Sequence, residues 1–225
     1  VYELPRFPGA DRLTNAERQA FVSQAIGAGY DPAGIGAVMQ LESGWSMSIH
    51  GPKVFDKPPG YPVGLIQFSP DTAESLGTST SELERMPFGE QIQYVLAYYD
   101  RFGGPAAFRD PGDYYLAGWG ASPRTDDSKQ LSTSGSPSYT GNRGLDTNAD
   151  GTIKAAELRA LIHRTIANAM ARGTWSIDDT APPQVVSSKS SRAAGTIASL
   201  AIGAAVIWMF VATLRPGKRR RLGAI

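Results

Sequence analysis

Cysteine is absent from all 225 residues, which rules out disulfide scaffolds, thiol nucleophiles and cysteine-ligated zinc. The compartment stays open, because a chain without thiols suits either side of a membrane. Histidine is almost as scarce. His50 and His163 are the only two, far apart in sequence and in no ligand pattern, so zinc amidase and serine–histidine hydrolase chemistries find little support. Positive charge is concentrated at one end. Five of the 22 Lys and Arg (Arg215, Lys218, Arg219, Arg220 and Arg221) follow residue 214, and no Asp or Glu follows Asp179. Residues 1–214 thus hold 17 basic against 21 acidic side chains, a balance that gives no reason to expect a nucleic-acid partner. Alternating strand patterns are lacking too, save for a loop-rich stretch at 45–66 where a small hairpin is conceivable.

What is present is helix punctuation around enough apolar residues for one core. In "LTNAERQAFVSQAIGAG", Thr14 and Glu17 are spaced as a capping box before a glycine stop. "YDPAGIGAVMQLES" opens with Asp31 as N-cap and Pro32 in the first turn. "SPDTAESLG", "MPFGEQIQYVLAYYDRFGG", "DPGDYYLAGWGAS" and "AAELRALIHRTIANAMARG" follow as further helices. The expected class is mainly α.

These helices fall within residues 1–176, the expected working domain. Residues 177–192, "IDDTAPPQVVSSKSSR", read as a flexible linker. Residues 193–214, "AAGTIASLAIGAAVIWMFVATL", carry no charge. As a helix they would span about 33 Å, enough to cross a bilayer's hydrocarbon core. Trp208 and the basic tail at 215–225 supply interface anchors and place the tail on the cytoplasm-like side, with the domain opposite. No secretory leader is visible in "VYELPRFPGADRL". The initial Val points to a missing Met or a longer leader.

On the helix from Pro32, residues Ile35, Val38, Met39 and Glu42 are spaced i, i+3, i+4, i+7 and share one face. Glu42 therefore points to the buried side. Desolvation there favours the protonated carboxyl, as a general acid near neutral pH requires. The alternative is a terminal glutamate that reaches out to water or pairs with an arginine.

Downstream of "LESGW" comes "GYPVGLIQFSPDTAESLG". Together they resemble the lytic transglycosylases of the goose-type lysozyme group. The resemblance falls on Glu42, Ser43, Gly64, Leu65, Ile66, Gln67, Phe68, Pro70, Thr72, Ala73 and Leu76. It is most like a phage-borne branch in which "EQIQYVLAYYDRF", "DYYLAGWGASP" and "GLDTNADGTIKAAEL" follow in that order, and it covers roughly residues 15–172. It implies a lysozyme-like fold and cleavage of the β-1,4 bond between N-acetylmuramic acid and N-acetylglucosamine in peptidoglycan. Glu42 would protonate the glycosidic oxygen, then accept the proton of the sugar's own 6-hydroxyl as a 1,6-anhydro ring closes. Most other glycosidases need a carboxylate pair. Asp56 and Asp71 are the nearby acids that a hydrolytic lysozyme would use to hold a water.

Gln67 offers an amide to acetamido groups or ring hydroxyls, and Ser43 a hydroxyl to orient Glu42. Phe68, Tyr98, Tyr115 and Trp119 could line a sugar cleft, although aromatics at helical spacing are usually core. By the resemblance, Tyr139 would correspond to the family's late tyrosine beside the acid. One departure stands out: many family members carry Ala-Tyr-Asn after the cleft, where this chain has Ala117-Gly118-Trp119-Gly120. Together with the apolar run at 193–214, the resemblance implies a membrane-anchored enzyme of a phage virion, alongside other virion proteins, opening the wall during phage entry. An inactive structural membrane protein of the virion is the alternative from another class.

"DTNADGTIKAAE", residues 146–157, matches a twelve-position calcium loop. Asp146, Asn148 and Asp150 take positions 1, 3 and 5, Gly151 makes the turn, Thr152 offers its carbonyl and Glu157 both oxygens. Lys154 at position 9 cannot ligate, and the preceding "SGSPSYTGNRGL" is not a convincing helix. The expectation is a lone structural Ca2+ site tying the Tyr139 loop to the last helix.

Overall fold

In the computed structural model, which describes residues 1–56 and 58–179, helix outweighs strand by 49% to 10%, so the chain is mainly α. Helix α1 (Asn15–Gly27) begins at the expected capping box: Thr14 Oγ1 accepts from the Glu17 amide at 3.2 Å, and Glu17 Oε2 accepts from the Thr14 amide at 2.8 Å. Helix α2 (Pro32–Glu42) starts where Asp31 accepts from the amides of Ala33 (2.9 Å) and Gly34 (3.2 Å). Then come α3 (Pro70–Ser75), α4 (Thr80–Leu83), α5 (Phe88–Asp100), α6 (Asp113–Gly118), α7 (Pro137–Asn142) and α8 (Ala155–Ala171).

Helix α2 packs against α1, α6 and α8, and α1 against α5. Ile35, Val38 and Met39 are buried on it as the spacing requires. Gly36 lets its neighbours approach closely. A Cβ on Gly36 would lie 2.8 Å from a Phe7 ring carbon and 3.0 Å from Trp45, both fully buried. Gly36→Ala is therefore expected to destabilise the domain by about 1–3 kcal/mol through overpacking, although alanine is the better helix former by about 1 kcal/mol. The urea midpoint of the variant checks this.

The strands lie elsewhere than at 45–66, where only isolated bridges join His50 to Val63 and Val63 to Phe68. Strand β1 (Tyr2–Pro5) pairs antiparallel with β4 (Thr174–Ile177), Tyr2 opposite Ile177, and β2 (Gln130–Thr133) pairs with β3 (Thr152–Lys154). Each has four residues or fewer and finds its partner far away in sequence, so periodicity carries no trace of them. The stretch before the calcium-type loop does form a helix, the six-residue α7, because Ser136 Oγ caps it at the Tyr139 amide (3.1 Å) with Pro137 in its first turn.

Pairing with β1 fixes where the last described residues lie. The Tyr2 hydroxyl bonds Asp31 at 3.1 Å, and the Val1 ammonium bonds Asp179 at 2.7 Å. The last described residues thus sit at the Asp31 end of α2, opposite Glu42. The eleven residues of α2 separate these ends by about 16 Å. The expected linker beyond Asp179, the membrane span at 193–214 and the basic tail lie outside the described residues. Among the described residues, no helix is long and apolar enough to cross a membrane.

Candidate active site

Glu42 is the last residue of α2, and the chain reverses directly behind it. Gly44 (φ 56°) and Trp45 (φ 65°) are both left-handed, a conformation that costs a non-glycine residue about 1–2 kcal/mol. Burial of the indole offsets that cost: Trp45 is wholly enclosed, edge-on to Phe21 and stacked on Phe88, with ring centroids 5.2 and 6.3 Å apart. The turn leads into the loop that returns as the Gly64–Phe68 strip.

Ser43 ties that strip to the helix end. Its hydroxyl donates to Leu65 O at 2.9 Å and accepts from the Ser46 amide at 3.2 Å. It braces the backbone around Glu42, and its hydrogen-bonding capacity is largely spent on that. A second brace, Gln91 on α5, is fully buried. Its Oε1 accepts from the Leu65 amide at 2.7 Å and its Nε2 donates to Leu83 O (2.7 Å) and Met47 O (3.1 Å). Gln67 sits in the strip with φ 55°, and its amide nitrogen donates to Gly64 O (3.0 Å) and Ile49 O (3.1 Å). Only its carbonyl half is left for a ligand. Phe68 is buried in the core against the edge of Tyr98, centroids 6.4 Å apart.

Around the carboxyl itself the neighbours are phenols. Tyr115 of α6, fully buried, hydrogen-bonds Glu42. Tyr98 and Tyr99 of α5 lie close enough for the Glu42 charge to raise their pKa values, which burial has already pushed up. Tyr98 is held by donating to Ala117 O at 2.8 Å. Glu42 keeps some accessible surface, yet the protein packed around its carboxyl pushes its pKa up from 4.5 to about 8, with the Tyr115 hydrogen bond opposing part of the rise. Among the described residues, no carboxylate, ammonium or guanidinium contributes to that shift. Asp56 and Asp71 are exposed. Trp119, capping α6 beside Tyr115, has a buried Nε1 without a partner among the described residues.

Tyr139 is not the tyrosine on the acid. Its hydroxyl donates to Asp146 Oδ2 at 2.6 Å, so it belongs to the calcium-type loop. That loop is folded on its own carboxylates. Asp146 accepts from the Asp150 (3.1 Å) and Gly151 (2.9 Å) amides, Asn148 Oδ1 from the Asp150 amide (3.0 Å) and Asp150 Oδ1 from the Thr152 amide (2.9 Å). Glu157 accepts from the amides of Lys154 (3.0 Å) and Thr147 (2.7 Å). Ile153, wholly buried, holds β3 beside β2, so β2 gives the loop a pairing strand without a second calcium loop. The donors are oxygens of the kind calcium takes, and one group opposes a cation: Lys154 Nζ reaches Asp150 Oδ2 at 2.5 Å. Among the described residues, no three His, Cys, Asp or Glu side chains converge as a metal site.

No protein-family model, curated protein or solved structure matches this chain.

Proposed function

We propose that the chain is a peptidoglycan lytic transglycosylase in which Glu42 is both acid and base. The observation that carries this reading is the solitary state of Glu42: one carboxyl, desolvated at a helix end, its pKa pushed up to about 8 and, among the described residues, no second acid acting on it. A group that still holds its proton at neutral pH can deliver it to a glycosidic oxygen. A site without a second carboxylate lacks the usual means of supplying an external nucleophile. The muramyl 6-hydroxyl fills that role, and Glu42, now a carboxylate, accepts its proton as the anhydro ring closes. Protons balance over the cycle, and no water is consumed.

Product masses from purified peptidoglycan test the reading. Muropeptides ending in a 1,6-anhydro ring, one water lighter than reducing ends, are expected. Reducing ends alone would make the chain a hydrolytic lysozyme, and intact walls would make it a structural protein.

The apolar run at 193–214 supports a membrane anchor that raises the local concentration of enzyme near the wall. The last described residues lie at the Asp31 end of α2, away from Glu42, which suits a tether on the far side from substrate. A phage virion, with other virion proteins as neighbours, is the setting we infer for such a tether.

We also infer a structural Ca2+ held by Asp146, Asn148, Asp150, the Thr152 carbonyl and Glu157, once Lys154 has given up Asp150. Calcium would neutralise the loop's carboxylates and tie α7 to α8. Saturating calcium, at about 100 times its dissociation constant, is expected to stabilise the domain by about 2.7 kcal/mol, a rise of several degrees in melting temperature. Unchanged melting curves with calcium and with chelator would refute the site.

A further inference from the structure

Taking Glu42 as the acid, we propose that Trp119, Tyr115 and Glu42 form a hydrogen-bond relay whose outer link closes only after Glu42 has released its proton. Trp119 caps α6 four residues after Tyr115, and its backbone amide donates to the Tyr115 carbonyl at 3.2 Å. The Tyr115 hydroxyl is already bonded to Glu42. The Trp119 indole N–H lies near enough to that hydroxyl to favour its ionised form, yet Nε1 makes no full hydrogen bond to any of the described residues. A buried N–H without an acceptor is costly. Here the missing bond sits one residue from the group whose charge changes during the reaction.

The charge of Glu42 governs both links. While Glu42 is protonated, Tyr115 faces a neutral carboxyl and polarises little. When the proton moves to the glycosidic oxygen, the carboxylate draws the Tyr115 O–H towards itself. The phenol oxygen then becomes a better acceptor, and the Trp119 N–H closes onto it, because hydrogen bonds in a chain strengthen one another. No proton leaves Tyr115; both donors point towards the new charge. Bonds that strengthen as charge develops lower the barrier without tightening the ground state. The groups facing Glu42 are Tyr98 and Tyr99 from α5 and Tyr115 from α6, and among the described residues no Asp, Glu, Lys, Arg or His acts on its titration. Tyr98 donates its own hydroxyl to Ala117 O. Tyr115 is the hydroxyl bonded to Glu42, and so the donor to the new carboxylate. Trp119 and Tyr115 are positioning residues in this scheme, since they act through Glu42.

The test is a titration of the full chain in detergent micelles, labelled with 5-fluorotryptophan and 13C-glutamate. The four tryptophans give separate fluorine resonances, with Trp119 assigned from Trp119→Phe. Its resonance is expected to move with the same midpoint as the Glu42 carboxyl, and to stop moving in Glu42→Gln. Tyr115→Phe should abolish the movement and raise the Glu42 midpoint by about one pH unit or more. Trp119→Phe should lower kcat for wall cleavage several-fold with KM unchanged, a split that loosened packing alone does not produce. A Trp119 resonance that stays flat while Glu42 titrates, or a midpoint unmoved by Tyr115→Phe, overturns the relay. The wild-type titration stands even where a variant fails to fold, and it needs no cleavage. A chain that shows coupled titration but leaves walls intact would keep the relay and lose the enzyme reading.

Discussion

Glu42→Gln is expected to abolish wall cleavage, lowering kcat by about 10³-fold or more. General acid–base catalysis by one positioned group contributes about 10²–10⁴-fold, and here a single residue serves both proton transfers, so the upper part of that range applies. Glutamine keeps the size of the side chain and can still hydrogen-bond Tyr115, but it has no proton to give. KM should change little, because the amide preserves the shape against which substrate packs. Muropeptide release, followed over time for wild type and variant, checks this. Equal rates would remove Glu42 from the mechanism.

The same substitution has a signature in stability that does not depend on substrate. The Glu42 pKa rises from 4.5 to about 8 on folding. Between those values the folded chain holds a proton that the unfolded chain releases, so folding binds protons and stability falls as pH rises. The slope from this one group is about 1.4 kcal/mol per pH unit. The stabilising effect of protonation is fully present below about pH 4.5 and lost by the time pH passes 8. Partial access of the carboxyl to water reduces the total to a few kcal/mol. Glu42→Gln removes the slope, so the variant should match wild type near pH 5 and exceed it at pH 9. Denaturation midpoints across that range test the sign. In cleavage assays the wild type should lose rate above about pH 8 along a one-proton limb, as the acid form is depleted.

How much of this was legible in the sequence depends on how local each feature is. Glu42 was legible because a helix period of 3.6 residues sets it on the face of Ile35, Val38 and Met39, and that face is buried. The caps at Thr14 and Asp31 were legible because each is a contact over two or three residues. Tyr115 was visible only as one aromatic among several. Its bond to Glu42 joins two helices 73 positions apart, and no spacing rule reaches that far. Ser43 and Gln67 carry the right groups for sugar contacts, but sequence cannot tell how many of those hydrogen bonds the backbone will use first. Gln91, which clamps the Gly64–Phe68 strip, went unnoticed because a glutamine on an amphipathic helix is usually a surface residue. The calcium-type loop shows as a motif, whereas its pairing with β2 depends on a strand too short to have a period.

Arg159→Ala is expected to cost the domain about 3–5 kcal/mol, the toll for leaving a buried carboxylate without its partner. Asp113, which opens α6, is almost fully buried, and its Oδ1 accepts from Arg159 Nε at 3.0 Å and Nη2 at 2.9 Å. Its Oδ2 accepts from the amides of Arg109 (2.9 Å) and Asp110 (3.1 Å). The guanidinium also bonds Asp127, Pro123 O and Thr125 O, so one side chain of α8 gathers the start of α6 and the loop beyond it. Six-residue helices have little stability of their own, and α6 carries Tyr115 and is capped by Trp119. Loss of Arg159 should therefore lower kcat as well as the melting temperature, whereas a surface ion pair would affect neither by much. The two effects separate in a double-mutant cycle. Asp113→Asn with Arg159→Met removes the stranded charge, so the double variant should be less destabilised than the sum of the single variants. Recovered stability without recovered rate would show that α6 needs this anchor at its N-terminus to hold Tyr115 on Glu42. Full additivity of the two substitutions would show instead that Asp113 and Arg159 act independently.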